Sequence, residues 1–248
     1  MTPSLPLAVA SSLVPGINAT LVLVLSLIGV FVFGLSGGMA GVGAKLDLFG
    51  AIMLAVVVGI AGGTIRDVLI GIPPATFRDW RYLAVAGGAG LIAPFAHPAI
   101  ARLQGWIDVL DAAGLGLFCV VGADTALAHK LGFADCVILG AVTGIGGGIL
   151  RDVLIREVPA ILRGGFYAIP ALCGALIVVT AYRSGDHSTA FPIVGAIVCF
   201  AMRIAGMRYG LGLPSAAAVA ERRGEIERRR PPDRRSPPHR RRKTERRG

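Results

Sequence analysis

The sequence predicts an all-α membrane protein in which seven transmembrane helices form two inverted three-helix repeats plus a seventh helix. Three observations lead to this fold class: the chain is strongly apolar, its apolar residues fall into seven long runs, and one long segment occurs twice. Of the 248 residues, 54% are hydrophobic and 16% are charged, whereas soluble domains carry about a quarter charged residues. This composition argues against a disordered chain and against an ordinary soluble enzyme.

Seven apolar runs are candidates for membrane spans. The hydrocarbon core of a bilayer is ~30 Å thick, so a spanning helix needs about 20 mostly apolar residues. Buried core helices of a soluble protein are the alternative for the shorter runs, but seven runs joined by short polar connections favour a membrane. The first run has no Lys or Arg before it, so we interpret it as a span and not as a secretory signal. The runs cover residues 17–37, 48–65, 82–101, 106–126, 136–150, 164–182 and 188–202, the last extending to about 206.

An internal repeat relates the first three runs to the next three. Segment 63–70 recurs as segment 148–155, at an offset of 85 residues. The same offset aligns residues 29–92 with 114–177 without a gap, and 23 of these 64 positions are identical. Apolar bias alone does not match charged residues, tyrosine and proline at one offset, so the chain contains two copies of one unit. The matched pairs include Phe33/Phe118, Lys45/Lys130, Arg66/Arg151, Asp67/Asp152, Pro74/Pro159, Arg78/Arg163 and Tyr82/Tyr167.

The orientation in the membrane follows from the number of spans and from the tail. Each repeat holds three spans, so the second repeat is expected to enter the membrane upside down relative to the first, and equivalent loop charges cancel. The net charge is +10, and residues 221–248 carry thirteen Lys or Arg against five Asp or Glu. Basic segments stay cytoplasmic, so the tail is predicted inside and the amino terminus, after seven crossings, outside.

These features divide the chain into five parts. The basic tail contains two Pro-Pro pairs and almost no apolar residues, and it is predicted to be disordered. Basic clusters next to a membrane bind anionic headgroups at about 1 kcal/mol per charge, so anionic lipid is its expected partner, and no nucleic acid is expected. The parts are an amino-terminal extension (1–16), the first repeat (17–100), the second repeat (101–186), the seventh helix (187–212) and the tail (213–248).

Spans 2 and 5, taken as helices over 48 to about 70 and 136 to about 155, carry the candidate functional residues, beginning with two glycine clusters. Glycine inside a helix frees the backbone to kink, and a break in lipid must be buried in protein or line a wet cavity. Alternatively, small residues four apart let two helices approach closely, and both roles are compatible. The sequence therefore leaves open whether these glycines bend a pore-lining helix or pack it. The clusters are Gly59, Gly62 and Gly63 in the first repeat, and Gly144, Gly146, Gly147 and Gly148 in the second.

An Arg-Asp pair follows each glycine cluster, as Arg66-Asp67 and Arg151-Asp152. Ionisable groups within spans are rare and usually face a bundle interior or an aqueous path. Adjacent residues on a helix point about 100° apart and do not naturally pair. We therefore expect reciprocal pairing across the repeats, Arg66 with Asp152 and Arg151 with Asp67. Contact with a permeating species and a purely structural role both remain open.

Four further polar residues are candidates for lining or guarding a pathway. Lys45 and Lys130 precede spans 2 and 5 at symmetric positions, where they either reach lipid headgroups or flank a pore mouth. Asp124, near the end of span 4, is expected to draw cations into a vestibule. Thr143, one turn before the glycines of span 5, is a candidate pore-facing hydroxyl.

The remaining reactive residue types indicate no chemistry. Asp108 and Asp111 open span 4, where acidic side chains favour a helix amino terminus, so we interpret both as capping residues. The histidines are scattered, and no nucleophile lies in a pattern with a base, so no enzyme is predicted. The four cysteines fall inside apolar spans without Cys-x-x-Cys spacing and resemble small core residues; they are Cys119, Cys136, Cys173 and Cys199.

The repeated motifs resemble those of the prokaryotic trimeric intracellular cation (TRIC) channel family. The resemblance rests on segments 62–67 (Gly-Gly-Thr-Ile-Arg-Asp) and 147–152 (Gly-Gly-Ile-Leu-Arg-Asp) and extends over roughly residues 17–210. It implies a homotrimer with an hourglass pore in each subunit, with kinked spans 2 and 5 at its centre. It also implies permeation of monovalent cations, chiefly potassium, with gating by voltage or a bound lipid and no other cofactor. The Lys-Glu-Val triplet that animal members use to bind phosphoinositide does not occur in this chain.

Two other classes of function compete with a channel. The same family has been labelled as glycine transporters, and a broken-helix inverted repeat also serves an alternating-access carrier. An ion-coupled transporter of glycine or another small amino acid is therefore the alternative, since an arginine suits a carboxylate better than a cation. A membrane scaffold is disfavoured, because charges within spans are costly without a purpose. In each case the expected location is the bacterial inner membrane.

Overall fold

The computed structural model describes residues 19–100, 105–162 and 166–210, except for the side chains of residues 97–100. These residues form seven long helices and two short helical turns, and no strand occurs among them. The predicted amino-terminal extension and basic tail lie outside the described residues, as does Arg163. The long helices are α1 (Ala19–Gly43), α2 (Leu48–Ile70), α3 (Trp80–Ile100), α4 (Trp106–Ala128), α5 (Phe133–Leu154), α6 (Ala168–Arg183) and α7 (Ala190–Tyr209). The short turns are Ala75–Arg78 and Ala160–Leu162.

The helices have the length and composition of an integral membrane protein, which confirms the predicted fold class. Helices α1, α2, α4, α5 and α7 are long and apolar enough to cross a bilayer. Helix α6 is apolar but has only 16 residues. Passage of α3 and α6 through the membrane therefore stays a prediction.

Helix α2 has the predicted extent, whereas α1 and α4 continue beyond the apolar runs that predict them, because local backbone motifs determine where the helices end. Lys45 and Lys130 adopt the left-handed conformation, with φ of 61° and 56°. Gly71 and Arg156 occupy the equivalent positions after α2 and α5, with φ of 81° and 62°. At each of these four ends, two backbone N–H groups bond to the carbonyls of the last turn, which is the Schellman arrangement.

The two repeats are packed in the same way. Helix α1 contacts α2 and α3, and its repeat equivalent α4 contacts α5 and α6. The two halves meet where α1 packs on α4 and α2 packs on α5, and α7 lies against α4 and α6. Phe33 and Phe118, an equivalent pair, stack at this junction with ring centroids 5.4 Å apart. Each ring lies over a glycine of the other repeat, Phe118 over Gly29 and Phe33 over Gly114.

Candidate functional site

The glycine clusters bring the backbones of α2 and α5 together at their crossing. A Cβ on Gly62 would overlap the carbonyl oxygen of Thr143, and a Cβ on Gly147 would lie 2.9 Å from the Val58 oxygen. Since 62 matches 147 and 58 matches 143, these two contacts are equivalent across the repeats. Both helices run without interruption through these glycines. Close packing of small residues is therefore one role of the clusters, and a kink at the same glycines stays a prediction.

The outer glycines of the clusters serve the packing within each repeat. A Cβ on Gly59 would lie 2.9 Å from the carbonyl oxygen of Val30 in α1. A Cβ on Gly144 would lie 2.9 Å from the carbonyl oxygen of Leu115 in α4. Gly146, which has no glycine partner in the first repeat, faces Gly62 across the crossing. These positions hold glycine because a neighbouring helix occupies the space that a side chain would need.

Each arginine of the two Arg-Asp pairs binds the aspartate next to it. Arg66 Nε and Nη2 lie 2.8 and 2.7 Å from Asp67 Oδ1. Arg151 Nε and Nη2 lie 3.0 and 2.8 Å from Asp152 Oδ1. The reciprocal pairing predicted across the repeats is therefore wrong. An arginine side chain is long and flexible enough to fold back to the next residue, although the two Cα–Cβ bonds diverge.

The aspartates also hold the loop that follows each helix. Asp67 Oδ2 accepts a hydrogen bond of 2.8 Å from the backbone N–H of Ala75, and Asp152 Oδ2 accepts one of 2.9 Å from that of Ala160. Both aspartates are buried, and both of their oxygens are thus occupied. A carboxylate held by an arginine and a backbone N–H is well satisfied, so each pair fixes a helix end to the next short turn.

The second repeat contains an additional buried carboxylate, that of Asp111. Its Oδ1 lies 3.0 Å from Arg151 Nη1, and its Oδ2 accepts a hydrogen bond of 2.7 Å from the Tyr167 hydroxyl. Arg151 Nη1 also donates to Ser36 Oγ at 2.8 Å. Asp111 is only 1% exposed, so its interpretation as a capping residue is wrong, whereas Asp108 lies exposed in the first turn of α4.

Helix α7 supplies the positive charge that balances Asp111. Arg203 is 6% exposed, and its guanidinium carbon lies 4.5 Å from the centre of the Tyr167 ring. Its Nη1 donates to the carbonyl oxygen of Phe166 at 3.4 Å, while its Nε has no partner among the described residues. Asp111, Asp152, Arg151 and Arg203 together are neutral, which reduces the cost of burying four charges.

The first repeat has the same arginine and tyrosine but lacks the additional carboxylate. Ser26 occupies the position equivalent to Asp111, and the Tyr82 hydroxyl, equivalent to that of Tyr167, bonds to Ser26. Arg66 lines a small, partly open cavity of about 20 Å³ with Ser26, Tyr82 and Gly63. The two repeats therefore differ at this site: the Asp111 carboxylate fills it in the second repeat, and a cavity lies there in the first.

The other candidate residues lie at the periphery or in the core. Lys45 and Lys130 lie two residues after the last residues of α1 and α4, and both side chains are exposed. Asp124 is 7% exposed and lines a second cavity together with Asp186 and His187. A vestibule at Asp124 stays a prediction.

Thr143 does not present its hydroxyl to an open space. The residue is fully buried, and its hydroxyl donates to the carbonyl oxygen of Leu139 at 2.6 Å. A Cβ on Gly122 would lie 2.5 Å from this hydroxyl oxygen. Helix α4 covers the side chain here, and a pore-facing role of Thr143 stays a prediction.

Comparison with known proteins identifies the family. The family model described as "Glycine transporter" matches residues 23–98 and again residues 108–183, so the two matches are offset by the 85 residues of the internal repeat. The crystal structure of the TRIC trimeric intracellular cation channel orthologue from Rhodobacter sphaeroides is 32% identical, with a TM-score of 0.74. The match covers 77% of this chain and 100% of that one. The chain belongs to the TRIC family.

Two further relatives agree with this membership. A crystal structure of a prokaryotic TRIC channel in 0.5 M KCl is 31% identical, with a TM-score of 0.70, over 79% of this chain and 100% of that chain. The inner membrane protein YadS of Escherichia coli K12 is 36% identical over 78% of this chain and 95% of its own length. These relatives are named as a channel and a membrane protein, in agreement with the prediction that this chain is not an enzyme.

Sequence analysis missed the residues that distinguish the two repeats. Asp111 was assigned to a helix terminus, and neither Arg203 nor the tyrosine pair was considered as part of a site. One signal in the TRIC sequence could have found them. Asp111 is an acidic residue within a span whose repeat equivalent, Ser26, is neutral, and Arg203 is a basic residue in the one helix without an equivalent.

Proposed function

We propose that this TRIC-family protein is a potassium-conducting cation channel of the bacterial inner membrane, a homotrimer with one pore per subunit. The observation that carries the proposal is the match over 100% of the Rhodobacter sphaeroides chain, whose name describes a trimeric cation channel. The pore is proposed to run beside the crossing of α2 and α5, with the tail cytoplasmic and the amino terminus outside. Bound anionic lipid is proposed at the basic tail.

The geometry of the charges supports cation permeation. An arginine in a span repels cations, but Arg66 and Arg151 each bind the aspartate of their own repeat at 3.0 Å or less. The net charge of each Arg-Asp pair is therefore zero. The two arginines do not form an uncompensated positive barrier to cations. The exposed carboxylate of Asp186, at the second cavity, would raise the local concentration of cations.

A carrier for a small amino acid is the second candidate. The description of the matching family model as a glycine transporter favours it, and the hollow beside Arg66 offers a cationic group to a carboxylate. A carrier needs an alternating-access cycle, whereas a channel passes ions without a turnover limit.

Ion flux from liposomes separates the channel from the carrier. We expect liposomes that contain the purified protein and are loaded with KCl to lose potassium when the charge is compensated by a proton ionophore. The same liposomes are expected not to accumulate labelled glycine under a sodium or proton gradient. Liposomes with heat-denatured protein are the control. Glycine accumulation without potassium loss would contradict the channel proposal and support the carrier.

A further inference from the structure

The second repeat shows how this fold binds a carboxylate, and the first repeat keeps the same donors without one. In the second repeat, Asp111 bridges Arg151 Nη1 at 3.0 Å and the Tyr167 hydroxyl at 2.7 Å. Arg66 and Tyr82 are the equivalent residues of the first repeat, and Ser26 replaces the aspartate. The side chain of Ser26 is too short to reach between the two donors in the same manner.

The space of the missing carboxylate is empty. At Gly148, a Cβ would overlap the Tyr167 hydroxyl and lie 2.9 Å from Asp111 Oδ1, so the carboxylate packs directly on this glycine. At the equivalent Gly63, the nearest atom to such a Cβ is Arg66 Nη2, at 3.9 Å. Gly148 therefore lies against a filled site, whereas its repeat equivalent Gly63 lies against an open cavity.

Arg66 has donor capacity left to bind a ligand in this cavity. The residue is only 4% exposed, and its hydrogen bonds to Asp67 use Nε and Nη2. Among the hydrogen bonds of the described residues, none involves Nη1, whereas Arg151 Nη1 donates to Ser36 and Asp111. Val121 is the equivalent of Ser36, so that second partner is also lost in the first repeat.

We propose that the cavity formed by Arg66, Tyr82, Ser26 and Gly63 binds the carboxylate group of a small molecule. The carboxylate occupies the position that Asp111 takes in the second repeat. It accepts a hydrogen bond from Arg66 Nη1 and a second from the Tyr82 hydroxyl, which gives up its bond to Ser26. Charge-assisted bonds of this kind are about twice as strong as neutral ones, which favours the exchange. Since the cavity is small and partly open, only the carboxylate lies inside it and the remainder of the ligand lies at its mouth.

This ligand differs from Asp111 in its charge balance. No counterpart of Arg203 lines the first cavity, and the charged residues described around it are Arg66 and its partner Asp67, which together are neutral. A ligand that brings its own positive charge, such as a zwitterionic amino acid, would restore neutrality, whereas a plain carboxylate would not. Acetate and glycine share the carboxylate and differ in this respect, so the pair distinguishes the two forms of ligand.

Ligand-observed saturation-transfer NMR on the purified full-length protein tests the site without measuring transport. We expect acetate or glycine, titrated at constant ionic strength, to give a saturable signal, and methylammonium, which has no carboxylate, to give none. A signal from glycine alone means that the site requires the zwitterion. A signal from acetate means that the carboxylate suffices.

Three variants locate the binding. Tyr82→Phe removes one donor and is expected to weaken binding about tenfold, from a loss of about 1.4 kcal/mol. Ser26→Asp places a carboxylate in the cavity and is expected to abolish binding. Tyr167→Phe makes the same change in the filled site and is expected to leave binding unaltered.

The proposal is overturned if neither acetate nor glycine gives a saturable signal, or if Tyr82→Phe and Ser26→Asp bind like the unaltered protein. Because the assay measures binding, failure here leaves cation conduction untouched.

Discussion

Replacement of Asp111 by alanine is expected to lower the free energy of unfolding by about 3–5 kcal/mol, the cost of breaking a buried ion pair. The carboxylate joins α4 to Arg151 of α5 and to Tyr167 at the start of α6, so one substitution removes contacts among three elements. Without it, Arg151 keeps Asp152 as its acidic partner, Arg203 loses its counter-charge, and the buried cluster acquires a net positive charge. Titration with a denaturing detergent, followed by circular dichroism, measures the change.

The control for Asp111 is its repeat equivalent. Ser26→Ala removes one neutral hydroxyl and is expected to cost about 1 kcal/mol. The double variant Asp111→Ala with Arg203→Met removes one charge of each sign, so it should be more stable than Asp111→Ala alone. If the two losses simply add, Arg203 is not the counter-charge of Asp111, and the charge balance described for the second repeat is incorrect.

A single methyl group at Gly62 is expected to destabilise the protein by about 3 kcal/mol, at the upper end for an overpacked core. The Cβ of Gly62→Ala would overlap the Thr143 carbonyl oxygen, which belongs to the backbone of α5. Backbone cannot turn away as a side chain does, so α2 and α5 must separate. The same detergent titration measures the loss.

The neighbouring glycine provides a matched control. A Cβ on Gly63 would meet only Arg66 Nη2, at 3.9 Å, which is an ordinary contact. Gly63→Ala should therefore be neutral, or stabilising by up to about 1 kcal/mol through its helix propensity. Equal stability of the Gly62 and Gly63 variants would show that the crossing is looser than the structure implies.

The internal repeat made most of the fold predictable. The offset of 85 residues correctly grouped six helices into two units and identified the glycines that now lie at equivalent contacts. Composition could not decide between a kink and close packing, because both require glycine at the same spacing. Contacts such as that of Gly147 with the Val58 oxygen exist only once two helices are in place.

The partners of the charged residues were less predictable than their positions. Arg66 and Arg151 lie within long apolar helices, as predicted. The direction of an arginine side chain, however, depends on several rotatable bonds and on the loop that holds the aspartate. Arg203 reaches the cluster because α7 packs on α4 and α6. The internal repeat could not predict this packing, because α7 belongs to neither repeat. Departures from the repeat, such as Ser26 opposite Asp111, are therefore the most informative feature of the sequence.

Recording of currents in planar bilayers tests the proposed cation conduction most directly. With purified protein under a KCl gradient, we predict unitary currents that reverse near the potassium equilibrium potential, about 59 mV for a tenfold gradient. A gradient of a potassium salt with a large impermeant anion should leave this reversal potential unchanged. Reversal near the chloride potential, or a bilayer without unitary currents under either salt, would contradict the account of this TRIC-family protein as a cation channel.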